Sequence, residues 1–599
     1  MSPSNPENLE SPLPTWNLGD LYPGPDAPEL EADLARLETE AQAFRQRWQG
    51  TLASRDGAAL GQAIAEYEAL QVLMGRLLSY ASLRYSQDMA DSENGRFYQK
   101  IQERVSALAT HTVFFTLEIN GLEDSHIQAC LSDPQTVRYA PWLADIRLFR
   151  PHQLSDELER FLHEKDVVGR AAWVRLFDET VANLRFTLDG EALTCAQILD
   201  RLNSGPTSAG RQAAAQEIGR VLGENGRTFT YLLNTLIKDK EIEDSWRNYP
   251  TPAAARHLSN RIAPEVVAAL VQAVKESYSG LAHRYYRMKA RWFGGETLPY
   301  WDRNAPLPDA PLQAIPWAQA QARVLGAFRS FSPRLGDLGQ AFFDHPWIDA
   351  SPRPGKAPGA FAHPTVPDVH PYLLLNYQGR LRDVMTLAHE LGHGVHQHLA
   401  NRRQGYLLGS TPLTLAETAS VFGEMLTFRA VLADETDPVQ RRALLAGKVE
   451  DMLNTVVRQI AFYDFETRLH AERRQGELSQ ERIGDLWLAV QQESLGPAMQ
   501  FDEAYRHYWS YIQHFVHSPF YVYAYAFGDC LVNSLYAVYE DAPQDFVGHY
   551  LALLEAGGSK PHQALLAPFG LDATDPAFWH KGLGMLRRFL DELETDSAS

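Results

Sequence analysis

The sequence predicts a mainly α-helical protein with one small β element beside a candidate metal-binding helix. Composition supports a folded chain, since 45% of the residues are hydrophobic and 22% are charged. Few stretches have the alternation or compact apolar runs typical of strands. Apolar residues instead recur at three- and four-residue spacing along most of the chain, in the ranges 28–122, 155–179, 208–293 and from about 415 towards the carboxyl end.

Charge and cysteine content narrow the classes of function. The 599 residues include 55 Lys and Arg against 75 Asp and Glu, a formal net charge of -20. This balance repels phosphate backbones and anionic lipid, so we expect neither nucleic acid nor membrane as a partner. Cys130, Cys195 and Cys530 are far apart and form no C-x-x-C pair. With no secretory signal or long apolar run, they indicate a reduced, cytoplasmic protein.

The elements suggest three regions in order. Residues 1–15 are rich in proline and are expected to be a mobile lead-in. Residues 16–200 are expected to form an amino-terminal helical lobe, which begins with large apolar side chains from Trp16 onward. Near its end, residues 184–193 alternate around Asp-Gly and predict a hairpin. Residues 201–599 are expected to form the catalytic region.

A compact apolar run, residues 372–377, predicts a buried or edge strand just before the candidate metal helix. Such a strand could pair with an extended peptide, or it could simply fill the core. Asp383 follows and is a predicted N-cap for the helix.

The candidate metal helix contains His389-Glu390-Leu391-Gly392-His393, an H-E-x-x-H arrangement. On a helix the two histidines lie one turn apart on one face, so both can bind one metal ion. Glu390 lies about 100° round the helix, where it can act on water as a general base. One alternative is that these are ordinary polar positions, because so short a pattern also arises by chance.

A catalytic zinc ion normally has three protein ligands, so a third is needed. His396 shares the face of the two histidines, but it would lie about 10 Å from His389 along the axis, too far for one metal. Glu417, Ser420 and Glu424 fall at i, i+3 and i+7 of a following helix. We therefore predict Glu417 as the third ligand, with Glu424 orienting a ligand histidine.

These paired motifs closely resemble those of the zinc oligopeptidases of the thimet oligopeptidase and oligoendopeptidase F group. Further matching segments extend over nearly the whole chain: TWNLGDLYPG, HPYLLLNYQG, HFVHSPFYVYAYAFG and EAGGSKPHQALLAPFGLD. The resemblance implies a mostly helical, two-lobed body with a deep substrate channel. It also implies one Zn²⁺ per chain and short peptides as substrates.

In that family a histidine and tyrosines from a late segment stabilise the reacting carbonyl, which the resemblance places between residues 514 and 525. Helical spacing puts His514, Tyr521 and Tyr525 on one stripe and Tyr523 roughly opposite. Pro519 could shift this phase, so Tyr523 stays an alternative tyrosine and His517 an alternative histidine. An aromatic stripe that only fills the core also remains an alternative.

The expected function is zinc-dependent hydrolysis of internal peptide bonds by a metal-activated water, with Glu390 as the base. Two alternatives remain open. One is a metallocarboxypeptidase or dipeptidyl carboxypeptidase on a related scaffold. The other is a zinc-bearing peptide-binding protein without turnover, although such a protein would not need Glu390. The oligomeric state cannot be derived from the sequence.

Overall fold

The protein was analysed as a computed structural model, which describes residues 12–307 and 314–598. It confirms the predicted fold class: the chain is mostly helical, with three small sheets in the described part. Within those residues no helix is both long and apolar enough to cross a membrane. The chain forms two compact units, each discontinuous in sequence. The continuous regions predicted from the sequence, with a boundary near residue 200, stay a prediction.

The first unit comprises Met1–Arg150, Leu312–Asp434 and Val538–Gly570. Its amino-terminal helices bury one apolar face each, as the periodicity predicts, around Leu34, Leu37, Leu77 and Ile101. The α-helices of this unit are Pro28–Trp48, Gly57–Gln87, Ser92–Ala109, Val113–Gly121, Asp124–Cys130, Pro134–Val137, Ala140–Ile146, Trp317–Phe331, Pro333–Asp344, Leu381–Gln404, Tyr406–Gly409, Leu413–Ala416, Thr418–Asp434, Pro543–Ala556 and His562–Leu566.

The start of the described chain is attached to this unit. Residues 1–11 of the predicted lead-in lie outside the described residues. The Pro14 carbonyl accepts a hydrogen bond of 2.9 Å from the Ala350 amide. Trp16 is buried and its ring meets that of Tyr372 edge-on, with 5.8 Å between centroids. The segment that begins at Trp16 is therefore fixed to the core of the first unit.

A three-stranded sheet in this unit contains the predicted strand. Tyr372–Leu374 is its central strand, parallel to Ile348–Asp349 and antiparallel to Phe361–His363. All three residues of the central strand are buried. The sheet packs against the helix Leu381–Gln404, where the Gln397 side chain donates to the Ala362 carbonyl at 3.3 Å. The prediction of a small β element beside the candidate metal helix is confirmed.

The second unit comprises Pro151–Pro311, Glu435–Ala537 and Leu571–Ser599. Its helices are Asp156–Asp166, Arg170–Asn183, Cys195–Ser204, Ser208–Glu224, Gly226–Trp246, Ala254–Ser259, Pro264–Ser277, Ala282–Trp292, Pro438–Met452, Arg458–Arg473, Gln480–Leu495, His514–His517 and Pro576–Ala598, and the helix Tyr523–Asp541 begins in it. A π-helical turn occupies Leu453–Val457, and Glu503–Tyr511 is a 3₁₀ helix.

The predicted hairpin is present in the second unit. Phe186–Leu188 pairs antiparallel with Glu191–Leu193. Asp189 and Gly190 form the turn with φ of 53° and 83°. Positive φ at both central residues is what a two-residue turn between twisted strands requires, which is why Asp-Gly predicts it. A further sheet joins Leu298–Pro299 to Met499–Gln500 in parallel.

Candidate active site

The helix that carries the H-E-x-x-H motif spans Leu381–Gln404. The prediction that Asp383 is its N-cap is wrong. The N-cap is Arg380, and Asp383 lies in the first turn. The Asp383 carboxylate accepts from the Arg380 and Gln378 amides, both at 2.9 Å. It therefore still satisfies amides at the helix start, but from inside the helix rather than from its boundary.

One helical turn separates His389 from His393, and their Nε2 atoms lie 3.1 Å apart. Their rings meet edge-on with 4.7 Å between centroids. Both imidazoles therefore direct a nitrogen to the same point, as the i, i+4 spacing predicts.

Glycine allows the glutamate-bearing helix, Thr418–Asp434, to approach this one closely. A Cβ on Gly392 would lie 2.4 Å from the Ala419 carbonyl oxygen. On the facing helix, a Cβ on Gly423 would lie 3.1 Å from the Ala388 carbonyl oxygen. The contact at Gly392 is too short for any side chain and that at Gly423 is tight, so the two glycines allow this close approach of the helices. The sequence shows both glycines but not that they face each other.

Glu417 is the residue just before the helix Thr418–Asp434. Its Oε2 lies 3.4 Å from Nε2 of His389 and 3.4 Å from Nε2 of His393. The Ser420 hydroxyl donates to the same Oε2 at 2.7 Å. Burial alone would raise the pKa of Glu417, but the histidines and Ser420 lower it to about 2. Glu417 is thus ionised and close to both imidazoles.

These three side chains match the requirements of a zinc ion. Ligands bound at about 2 Å in a tetrahedron lie roughly 3.3 Å from one another. The three donor atoms are separated by 3.1, 3.4 and 3.4 Å. Two imidazole nitrogens and one carboxylate oxygen are also a known ligand set of catalytic zinc. The residues present therefore fit the metal that the motif implies.

Glu424 contacts the other side of His389. The Nδ1 of His389 donates to Oε1 of Glu424 at 2.6 Å. Burial opposes the charge on His389, yet this hydrogen bond and the surrounding carboxylates raise its pKa to about 9. Because Glu424 holds the proton on Nδ1, a metal ion that binds at Nε2 would displace only the Nε2 proton.

Glu390 lies on the same helix but outside this trio. Its side chain is buried and forms no hydrogen bond to another residue in the described ranges. Burial raises the pKa of Glu390, although His389 and His393 act in the opposite direction. Glu390, His389 and Glu424 line a cavity of about 420 Å³, together with Asn376 and Tyr377. An unpaired carboxylate at a cavity wall can exchange protons with a molecule inside it.

His396 lies away from the trio, in agreement with the spacing argument. It is buried, and its Nε2 lies 3.3 Å from the Thr411 hydroxyl. Burial lowers the pKa of His396 to about 4, so the ring is neutral at physiological pH.

The second unit brings His514, Tyr521 and Tyr525 together. The His514 Nε2 lies 3.2 Å from the Tyr525 hydroxyl. The rings of Tyr521 and Tyr525 meet edge-on at 5.3 Å, and the His514 ring lies 6.1 Å from that of Tyr521. The predicted group of one histidine and two tyrosines therefore exists as a cluster within this unit.

The cluster does not arise from the single helical stripe assumed in the spacing argument. One helix ends at His517 and the next begins at Tyr523, with Phe520 between them at φ 59°. The Phe520 amide donates to the buried Glu466 carboxylate at 2.9 Å. This support for the turn was missed at the level of sequence, because no local pattern connects residue 466 with residue 520.

The two alternatives have other partners. Tyr523 is fully buried, and its hydroxyl accepts from the Asn260 side chain at 2.8 Å. The His517 Nε2 lies 2.7 Å from an Asp178 carboxylate oxygen. The polar groups of Tyr523 and His517 are thus engaged by side chains within the second unit.

Comparison with known proteins agrees with these features. The chain is similar to oligopeptidase PepF of Bacillus subtilis, with 25% identity over 97% of this chain and 87% of the relative. It is also 25% identical to an oligoendopeptidase F homolog of Lactococcus lactis, covering 97% and 96% of the two chains. Both likenesses extend over nearly the full length.

Solved structures share the fold. A peptidase from Chlamydophila abortus superposes with a TM-score of 0.88 at 23% identity, covering 97% of this chain and 98% of the other. Oligoendopeptidase F from Enterococcus faecium gives 0.69 at 23% identity, covering 95% and 99%. The family model for Oligopeptidase F matches residues 118–186, and that for Peptidase family M3 matches residues 202–585, well over half of the chain. The chain therefore belongs to peptidase family M3 and is a metallopeptidase.

Proposed function

We propose that this protein is a zinc-dependent endopeptidase that hydrolyses internal bonds of short peptides. The observation that carries the proposal is the mutual spacing of the donor atoms of His389, His393 and Glu417, which suits one tetrahedral metal ion. The names of the relatives, oligopeptidase and oligoendopeptidase, support short peptides as the substrate class. We assign one Zn²⁺ to each chain.

Each residue near the metal ligands has a separate role in the proposal. A bound zinc ion would supply a Lewis acid that polarises the peptide carbonyl and lowers the pKa of water. Glu390 accepts the proton of the attacking water and passes one to the leaving amine. Its raised pKa suits both steps, because a carboxylate of very low pKa would be a poor base. Glu424 holds the His389 ring in place.

The aromatic cluster of the second unit supplies hydrogen-bond donors in this proposal. Attack on an amide builds negative charge on the carbonyl oxygen, which preorganised donors stabilise. We assign this role to His514 with Tyr521 or Tyr525. Burial lowers the pKa of His514, and the positive charge of Arg458 lowers it further. The His514 ring is therefore neutral near pH 7 and offers one N–H as a donor.

We place the reaction in the cytoplasm. Cys130, Cys195 and Cys530 are all free thiols, which is typical of proteins from a reducing compartment.

The test of the chemistry is Glu390→Gln. The variant keeps the metal ligands but lacks the base, so kcat should fall roughly 100- to 10,000-fold while zinc content stays at one per chain. Mass spectrometry of a peptide mixture measures turnover, and metal analysis of the same samples measures zinc. Near-normal turnover by this variant would refute the assignment of the base.

The test of the specificity is a peptide blocked at both ends. An endopeptidase cleaves it, whereas a metallocarboxypeptidase or dipeptidyl carboxypeptidase requires the free carboxyl end. The third reading, a zinc-bearing binding protein, predicts no cleavage of any peptide by wild type with added zinc. The variants His389→Ala and Glu417→Ala should lose both zinc and turnover.

A further inference from the structure

Two arginines of the second unit, Arg303 and Arg458, have no acidic partner. Among the residues that the structure describes, neither guanidinium forms an ion pair with an Asp or Glu. The neighbouring buried Lys289 differs, because its Nζ contacts a Glu450 carboxylate oxygen at 2.5 Å. Arg303 and Arg458 are each half-buried, and the chain has 75 acidic residues against 55 basic ones, so a shortage of acidic residues does not explain why they lack a partner. A buried charge normally requires a partner.

The Arg303 side chain is held by neutral groups. One Nη lies 3.4 Å from the Tyr505 hydroxyl, and Nε lies 3.4 Å from the Asn304 side-chain oxygen. The Arg303 carbonyl also accepts from Lys289 Nζ at 2.7 Å, which fixes its backbone. Both side-chain contacts are long for hydrogen bonds, so most of the donor capacity of this guanidinium remains for another acceptor.

Arg458 follows directly after the π-helical turn Leu453–Val457. Such turns are rare and often occur at functional sites. The Arg458 guanidinium lies over the Phe462 ring, 4.9 Å from its centroid. Its Nε is buried and has no hydrogen-bond partner in the described protein. Burial and the charge of Arg303 lower the pKa of Arg458.

Aromatic contacts connect the two arginines with each other and with His514. Arg303 contacts Tyr505, whose ring centroid lies 6.0 Å from that of Trp487. Arg458 lies over Phe462, whose ring centroid lies 5.4 Å from that of the same Trp487. Phe462 also lies 5.5 Å from Phe515, the residue after His514. The guanidinium of Arg458 is close enough to His514 to lower its pKa. Both arginine side chains keep partial exposure to solvent, so a ligand can reach them.

We propose that Arg303 and Arg458 form a carboxylate-binding subsite for the peptide substrate beside His514. This inference rests on the proposed peptidase function. Guanidinium groups bind carboxylates through paired N–H donors, and a ligand carboxylate would supply the missing counter-charge. The carboxylate comes from one of two sources, the carboxyl terminus of the peptide or an Asp or Glu side chain.

The experiment measures binding and turnover for three matched peptides. The first has a free carboxyl terminus, the second is its amide, and the third is an amide with one internal Gln replaced by Glu. Calorimetry on the Glu390→Gln variant gives Kd without turnover, and wild type gives kcat and KM. We expect at least one charged peptide to bind roughly tenfold or more tighter than the neutral amide, since charge-assisted hydrogen bonds are strong.

The variants Arg458→Gln and Arg303→Gln should each remove this preference, measured as the ratio of Kd for the charged peptide to Kd for the neutral amide. Arg468→Gln is the matched control: it removes a charge from the same helix, but Arg468 pairs with Asp464 and Glu493. It should retain the preference. The three peptides are also compared on protein in which both arginines are intact. A folding defect in Arg303→Gln or Arg458→Gln therefore does not affect that comparison.

The outcomes separate this inference from the proposed function. Equal binding of all three peptides overturns the subsite, even where wild type cleaves them all. Tight binding of a charged peptide that depends on Arg303 and Arg458 supports the subsite. If no peptide is cleaved in that case, only the proposed peptidase function is refuted. A preference that both arginine variants retain also overturns the subsite.

Discussion

At the scale of single residues, the proposed zinc site consists of ligands and the groups that hold them. Glu424 fixes the His389 ring through a hydrogen bond of 2.6 Å, and Ser420 fixes Glu417 through one of 2.7 Å. Such supporting groups affect metal affinity although they do not touch the metal. Their contributions can be measured separately, because the two contacts share no atom.

We predict that Glu424→Gln weakens zinc binding roughly 10- to 100-fold, since His389 loses its charged acceptor. Ser420→Ala should weaken binding less, because Glu417 keeps its carboxylate. Competition with a fluorescent zinc chelator measures both affinities. Asp344→Asn, which removes an exposed charge from the first unit, is the control and should bind zinc normally. Wild-type affinity in Glu424→Gln would contradict the role assigned to Glu424.

At the scale of elements, two helices are held at a distance set by glycine. Gly392 lies inside the H-E-x-x-H motif, at a position the metal itself does not constrain. Its contact with Ala419 leaves no room for a methyl group. The local pattern therefore needs glycine for packing rather than for coordination.

We predict that Gly392→Ala lowers the free energy of unfolding by about 1–3 kcal/mol and weakens zinc binding, because the helix that follows Glu417 must move away. Thermal melting and zinc titration measure the two effects. Gly548→Ala is the matched control: Gly548 is also in a helix, and a Cβ there meets nothing within 4 Å. That change should be neutral or stabilise by about 1 kcal/mol. Equal effects of the two changes would refute the packing argument.

The turn between the helices that end at His517 and begin at Tyr523 is held from a third helix. Glu466 accepts from the Phe520 amide, and its other oxygen is buried without a partner in the described protein. Burial raises the pKa of Glu466 from 4.5 to about 8. The folded protein therefore keeps this proton between about pH 4.5 and 8, whereas the unfolded chain releases it.

A group whose pKa rises on folding makes stability fall as pH increases through that window. Glu466→Gln cannot ionise and still offers an acceptor to Phe520. We predict that the stability of this variant relative to wild type increases from pH 5 to pH 8, as measured by urea unfolding. Glu466→Leu removes the acceptor and should expose the Phe520 amide to hydrogen exchange at every pH. A pH-independent difference between Glu466→Gln and wild type would contradict the assignment.

At the scale of the whole molecule, the proposed metal ligands lie on or next to helices that bury apolar side chains of their own. The helix Leu381–Gln404 buries Leu387, Leu391 and Val395, and the helix Thr418–Asp434 buries Phe422 and Met425. These contacts do not depend on a metal ion. The fold should therefore persist without zinc, unlike that of small zinc-stabilised domains.

We predict that a chelator abolishes turnover and leaves the helical circular dichroism unchanged. It should also lower the melting temperature, because a metal at 1,000 times its Kd contributes about 4 kcal/mol. Glu417→Ala, which lacks a ligand, should show little change in melting temperature with the same chelator. Loss of helical signal in the chelated wild type would show instead that zinc is needed for folding.

The sequence by itself determined the features whose cause is local. Hydrophobic periodicity predicts the helices, Asp-Gly predicts the hairpin at Asp189, and the i, i+4 spacing brings His389 and His393 together. The i, i+3, i+7 spacing also predicts Glu417 and Glu424, although Glu417 lies just before the helix that carries Glu424. Each of these depends on residues a few positions apart.

Only the tertiary structure decided the features that depend on distant residues. It placed Gly392 against Ala419, ended one helix before Phe520 and supported that turn from Glu466. It also brought Arg303 and Arg458 to the same group of aromatic rings. The physical reason is that packing and burial act between segments far apart in the chain, and local spacing carries no information about which segments meet.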